Sequence, residues 1–152
     1  MEDHLFRKAM AKFPTGVTVI TTSVDGNPYG MTANAFMSLS LNPHLILISV
    51  ANKAHMNQYI KQAGAFAVNI LSKSQKEMSM HFAGQLKEKK NIDFHWYDGI
   101  PVLENSLVHL SCSVDSVSEA GDHTLFIGKV NNLQIAEGTP LTYYNGKYVD
   151  IC

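Results

Sequence analysis

Val17, Val19 and Thr21 alternate with Thr18, Ile20 and Thr22, the period of two that a strand shows when one face turns inward. The same reading predicts strands over 16–24, 29–34, 45–50 and 66–71. The run from Leu45 to Val50 is continuously apolar, as expected when both faces are covered. Over 107–115, Val108, Leu110, Cys112 and Val114 alternate with His109, Ser111, Ser113 and Asp115, the pattern of a half-buried antiparallel strand. Residues 124–130 and 133–135 read as one further strand, with a bulge expected where the alternation slips at Asn131 and Asn132. Tight reversals are expected at Asp25, Gly26 and Asn27, and at Asn145-Gly146, which lies between Tyr143-Tyr144 and Tyr148-Val149 in hairpin fashion. Helical spacing joins Leu5, Phe6, Ala9, Met10 and Phe13 into a short amphipathic helix that Pro14 stops. A second helix is expected from His55 to Gln62, closed by Gly64. Ser74 and Glu77 have capping-box spacing and would open a third, carrying Met78, Phe82 and Ala83. Residues 91–101 mix Trp, Tyr, Asp, Gly and Pro without a period and are expected to form a surface excursion.

Roughly six or seven strands with short helices between only some of them do not alternate as a doubly wound sheet requires. The expected fold is mainly β: a closed or nearly closed antiparallel barrel, Greek-key-like, with short helices, in a single domain spanning 1–152. An apolar share of 45% can build one sizeable core. The formal net charge is −1, and the nearest approach to a basic run, Lys87, Lys89 and Lys90, is interrupted by Glu88. Binding to nucleic acid or to an anionic membrane is therefore not expected. No apolar run is long enough to cross a bilayer, and Met1-Glu2-Asp3-His4 lacks the features of a signal peptide. Cys112 and Cys152 are the only cysteines, which suits a reducing compartment, and a soluble cytoplasmic protein is expected.

Motifs for a dinucleotide fold, a P-loop, a zinc protease or a C-x-x-C centre are missing. The seven histidines are scattered singly, so no metal site is expected, and no nucleophile elbow is found. What stands out is the segment Gly30, Met31, Thr32, Ala33, Asn34 and Ala35, an extended backbone with little side-chain bulk. A planar molecule can lie against such main-chain N–H and C=O groups.

Several segments, in this order, carry a resemblance to a known family. They are Phe6-Arg7 with Ala9-Met10, then Phe13-Pro14-Thr15-Gly16-Val17-Thr18-Val19, Gly30-Met31-Thr32-Ala33-Asn34-Ala35-Phe36 and Ser40-Leu41-Asn42-Pro43. They continue with Phe66-Ala67-Val68-Asn69-Ile70-Leu71, Phe82-Ala83 and Gly121-Asp122-His123-Thr124-Leu125-Phe126-Ile127-Gly128. Across nearly its whole length the chain resembles the flavin reductase-like proteins with an FMN-binding split barrel, which supply reduced flavin to two-component aromatic monooxygenases. The resemblance implies a homodimer, FAD or FMN bound near the subunit interface, NADH or NADPH as reductant, and a separate oxygenase as partner.

On that reading Gly30 to Ala35 face the flavin ring through main-chain groups, with Thr32 and Asn34 adding side-chain hydrogen bonds. Candidates for the phosphate end are Ser38, Ser40, Ser49, Asn52, Lys53 and His55, because hydroxyls, an ammonium and a helix N-terminus suit a dianion. Solvated loop charge is the competing account of Lys53, and turn chemistry that of the serines. Phe82 and Ala83 would border the flavin by resemblance, against core packing for Phe82. His123, with Asp122 to fix its imidazole, would contact the nicotinamide or the isoalloxazine edge and steer the hydride donor. Tyr148, with Tyr143 and Tyr144, would close the pocket rim or stack on adenine, although cross-strand aromatic pairing explains these tyrosines equally well. Two other readings compete: a flavin- or haem-holding barrel for storage or sensing, and an oligonucleotide-binding barrel, which the near-neutral charge disfavours.

Overall fold

The computed structural model describes residues 1–88 and 91–151, so Lys89, Lys90 and Cys152 lie outside the described residues. Strands β2 (Thr18–Val24) and β3 (Asn27–Ala33) form a hairpin on Asp25 and Gly26, whose φ values of 52° and 78° suit a type I′ turn. Their neighbours are β4 (Phe36–Leu41), β5 (His44–Ala51), β6 (Ala65–Ile70), β9 (Val108–Ala120) and β10 (His123–Ile135). Among the described residues these build one antiparallel seven-stranded sheet in the order β3-β2-β6-β9-β10-β5-β4. Its two edges, β3 and β4, follow one another in the chain through Asn34 and Ala35. The sheet thus curls into a barrel split at that junction.

Ile20, Ile46, Ile48, Val50, Phe66, Val68, Leu110 and Phe126 converge inside, and α2 (His55–Ala63) adds Met56 and Ile60. Gly64, at φ 68°, ends α2 and donates its N–H to the Ile60 carbonyl. Gly128 admits the Phe66 ring against β10, since a Cβ there would lie 2.6 Å from Phe66 Cζ. Cys112 lies opposite Phe66, and burial pushes its thiol up to about 12.

A second cluster, of Val17, Val19, Leu71, Leu103 and Leu141, covers the other face of β2. Both faces of that strand are therefore covered, rather than the one that its alternation suggests. Thr18, Thr21 and Thr22 are buried as well, and they donate to the carbonyls of Ala33, Pro101 and Ala65.

Several elements differ from the sequence expectation. Ser72 and Gln75 form the capping box, and they open a 3-10 turn (Lys73–Gln75) that leads into α3 (Lys76–Phe82); Ser74 merely pairs with the Ser72 hydroxyl at 2.9 Å. The strand β4 had not been expected. Within 91–101 lies a hairpin of β7 (His95–Tyr97) and β8 (Ile100–Val102), turning on Asp98 and Gly99 at φ 53° and 77°. Asp98 pins it to the sheet by accepting from Ser111 Oγ at 2.7 Å and Asn132 Nδ2 at 3.0 Å, bonds that hold its carboxyl below the usual range. The strand β9 runs on to Ala120 instead of ending at Asp115. In β10 the register slips at Asn131, as expected, and again between Ile127 and Gly128. The C-terminal hairpin of β11 (Thr142–Tyr144) and β12 (Lys147–Val149) turns on Asn145-Gly146 as expected, and β11 also pairs with β1 (Thr15–Gly16).

Helix α1 (Asp3–Met10) forms, and its apolar residues Leu5, Phe6 and Met10 are each more than half exposed. Among the described residues no helix is long and apolar enough to cross a membrane.

Candidate functional site

The split between β3 and β4 is where the small-residue segment comes to the surface. Thr32, Ala33 and Asn34 line a pocket of about 180 Å³ together with Ser79, Ala83 and Tyr148. Asn34 and Ala35 also line a larger groove of about 600 Å³, bordered by Phe13, Thr15, Leu47 and Ser49. Asn34 belongs to both spaces.

The strand β5 connects this junction with most of the remaining candidates. Ser49 donates its N–H to the Ala35 carbonyl at 3.2 Å, and Ala51, two residues further along β5, pairs with His123. At ~3.4 Å per residue that step is about 7 Å. Asn52 closes the corner: its N–H donates to the Asp122 carbonyl at 2.9 Å, and its side chain accepts from Thr124 Oγ1 at 2.6 Å. Lys53 and His55 follow, both exposed, where α2 begins; Ala54, at the N-cap, offers no side-chain cap to the first-turn N–H groups. Asn34, Ala35 and Ser49 line the groove, and Asn52, Lys53, His55 and His123 lie beyond it around the end of β5.

His123 stands at the tip of the long β9–β10 hairpin. Gly121 supplies the positive φ, 62°, of a two-residue turn. The imidazole Nδ1 lies 2.8 Å from Asp122 Oδ1, a contact that fixes the orientation of the ring. The hydrogen bond and charge of His123, with a smaller pull from Lys53, hold the Asp122 carboxyl below its usual range.

Other candidates lie elsewhere. Ser38 and Ser40 line a separate cavity of about 450 Å³, with His44, Leu110 and Asn131, further along β4 from the groove. Met31 packs against the main core. Phe82 packs against the second cluster, beside Phe94, with its ring pressed on the Gly30 backbone; a Cβ on Gly30 would come within 2.8 Å of Phe82 Cε1. Tyr148 lines the smaller pocket and meets Tyr143 edge to face across the hairpin, so the rim and pairing accounts of it both describe the geometry.

Sequence reasoning missed Ser79, Gln85 and Thr15. Ser79 is a serine within a helix, and no pattern marks it. Thr15 Oγ1 is buried with no hydrogen-bond partner, beside the groove that Asn34 and Ser49 line. A buried hydroxyl without a partner costs about 1–3 kcal/mol, so this wall has bonding capacity to offer. Together with short side chains along Thr32 to Ala35 and an ammonium and a helix start beyond Ser49, the donor set fits a flat heterocycle carrying a phosphate.

The flavin reductase like domain family matches residues 10–151. An NADH-dependent flavin reductase of Rhodococcus sp is 43% identical over 148 residues, 95% of this chain and 84% of that protein. The reductase subunit HsaB of a flavin-dependent monooxygenase of Rhodococcus jostii is 37% identical over 155 residues, 99% of this chain and 79% of that protein. The solved structure of flavin reductase PheA2 in its native state has a TM-score of 0.98 at 52% identity, covering 100% of this chain and 99% of that one. The family match over residues 10–151 and the 43% identity to the Rhodococcus sp reductase make this chain, a split antiparallel barrel, a member of the flavin reductase like domain family.

Proposed function

We propose that the chain uses a reduced nicotinamide dinucleotide to reduce FAD or FMN and passes the reduced flavin to a separate oxygenase that hydroxylates an aromatic compound. The observation that carries this reading is the groove lined by Asn34, Ala35 and Ser49, with phosphate-type donors and His123 beyond it around the end of β5. Likeness to the Rhodococcus enzyme favours NADH over NADPH, and likeness to the monooxygenase reductase subunit favours an oxygenase partner. All the relatives above are reductases, so the storage reading finds no support among them. One domain over 1–152 fits the reading, and a reducing, cytoplasmic setting suits the buried free thiol of Cys112.

When bound, a flavin supplies the ring system that accepts hydride from the nicotinamide. The task of the chain is positioning. Thr32 to Ala35 bring main-chain groups close because their side chains are short, and Lys53, His55 and the start of α2 balance phosphate charge. His123, braced by Asp122, orients the hydride donor without taking a proton. Holding two reactants face to face can be worth roughly 7–11 kcal/mol of barrier, which needs no acid–base pair.

NADH absorbance followed with and without added free flavin tests the reading. Steady oxidation that depends on flavin is expected, and its absence with both FAD and FMN would sink the proposal. Lys53→Ala is expected to weaken flavin binding about ten-fold, the loss of one charge-assisted hydrogen bond. A fluorescence titration with unchanged affinity would remove Lys53 from the site.

We infer further that the working form is a homodimer. Leu5, Phe6, Met10 and Phe13 expose 55–76% of their surface on one end of the chain, beside the groove at Asn34 and Ala35, and such apolar patches mark association surfaces. Sedimentation equilibrium checks this: a dimer that Phe6→Glu dissociates is expected, and a wild-type monomer would refute it.

A further inference from the structure

We infer that Ser79 is a positioning residue that sets the shape of the pocket at Thr32 and Asn34; this rests on reading the chain as a flavin reductase. Ser79 is 1% exposed, and its hydroxyl and its carbonyl each bond to another element. Its Oγ lies 2.7 Å from the Tyr148 phenol oxygen on β12. Its carbonyl accepts from Thr32 Oγ1 on β3 at 2.5 Å and from the Ala83 N–H, at the end of α3, at 3.1 Å. Thr32, Ala83 and Tyr148 are three walls of the same pocket, so one buried serine fastens them to each other.

The surroundings leave this node little freedom. On one side the Phe82 ring presses on Gly30 and fixes α3 against β3. On the other, the Tyr148 ring is flanked by Tyr143 at 5.2 Å and by the Lys76 ammonium at 5.3 Å. The only hydrogen of the Thr32 hydroxyl is given to Ser79, so toward a ligand Thr32 offers lone pairs alone. At the Thr32 hydroxyl the wall accordingly takes a ring N–H. Ser79 acts through Thr32 and Tyr148, and its contribution is the fixed spacing of groups that touch the flavin.

Ser79→Ala and Tyr148→Phe remove the same hydrogen bond from opposite sides and provide the test. Each is expected to raise the flavin KM and the dissociation constant from fluorescence titration about three- to ten-fold, the worth of one hydrogen bond. The double variant should bind no more weakly than either single variant, and Ser79→Thr, which keeps the hydroxyl, should restore affinity. A purely structural serine would instead lower the melting temperature and leave the affinity of the folded protein at the wild-type value. That result, or losses that add in the double variant, would overturn the inference. A wild-type protein that fails to oxidise NADH with flavin present would defeat the parent reading and this inference with it. With an active wild type, the Ser79 and Tyr148 results judge the inference alone.

Discussion

Replacing His123 by alanine is expected to slow NADH-driven flavin reduction about 10- to 100-fold, the scale of rate loss that follows when a reactant is slightly misplaced, while the melting temperature stays at the wild-type value. The separation of rate from stability follows from how the residue is held. Its main chain pairs with Ala51 on one flank and Ala120 on the other. Its side chain is 44% exposed and bonds to the adjacent Asp122 at 2.8 Å. Removing the imidazole empties no core and breaks no strand, so only a property of the site can change. His123→Gln, which retains an acceptor, should fall between the two. Stopped-flow measurement of flavin reduction reads the result, and wild-type kinetics in the alanine variant would deny His123 any part in the reaction.

Phe66→Ala is expected to have the opposite profile: a loss of about 3–5 kcal/mol of stability, as for other large-to-small changes in a packed core, with unchanged activity per folded molecule. The ring is fully buried among Ile46, Ile48, Leu110 and Phe126. Gly128 is shaped around it, since any Cβ there would also come within 3.1 Å of Cys112 Cβ and 3.2 Å of Ile46 Cδ1. The cavity cannot be filled from β10, which the paired strands β5 and β9 hold on both sides. Against a total stability of roughly 5–15 kcal/mol for a domain, the variant should unfold at a much lower urea concentration. A midpoint close to that of the wild type would contradict the packing described for Phe66.

Turn chemistry made the hairpins legible. Asp25-Gly26 and Asn145-Gly146 announce type I′ turns, because both positions need positive φ. Asp98-Gly99 carries the same signal, yet it was lost in a stretch where three-residue strands are too short to show a period. β4 is a different failure: Met37, Leu39 and Leu41 alternate with Ser38 and Ser40, but the apolar set is exposed, as Ser38 is, so the alternation marks no buried face. Two overlapping boxes, Ser72 with Gln75 and Ser74 with Glu77, share the spacing of a helix start. Tertiary contacts choose between them, because Gln75 Nε2 donates to the Glu104 carbonyl and to Ser106.

The candidate site was legible as a collection of residue types and not as a place. Nothing in the period of β5 or β10 says that the two strands are neighbours, yet that pairing is what sets His123 beside Ala51, Asn52 and Lys53. The same topology carries Ser38 and Ser40 off along β4 to another cavity. Ser79 was invisible for a further reason: its importance lies in bonds to β3 and β12, which local sequence does not encode.

The β9–β10 hairpin pairs from Ala120 opposite His123 down to Val108 opposite Ile135. Near the tip it is held by main-chain bonding, which is indifferent to which side chains are attached, while its anchorage to the barrel interior lies further along, at Phe126 and Gly128. Substitutions at the apex are therefore insulated from the machinery of folding. Variation there can accumulate under selection for how a donor is recognised, leaving the scaffold beneath as a fixed handle.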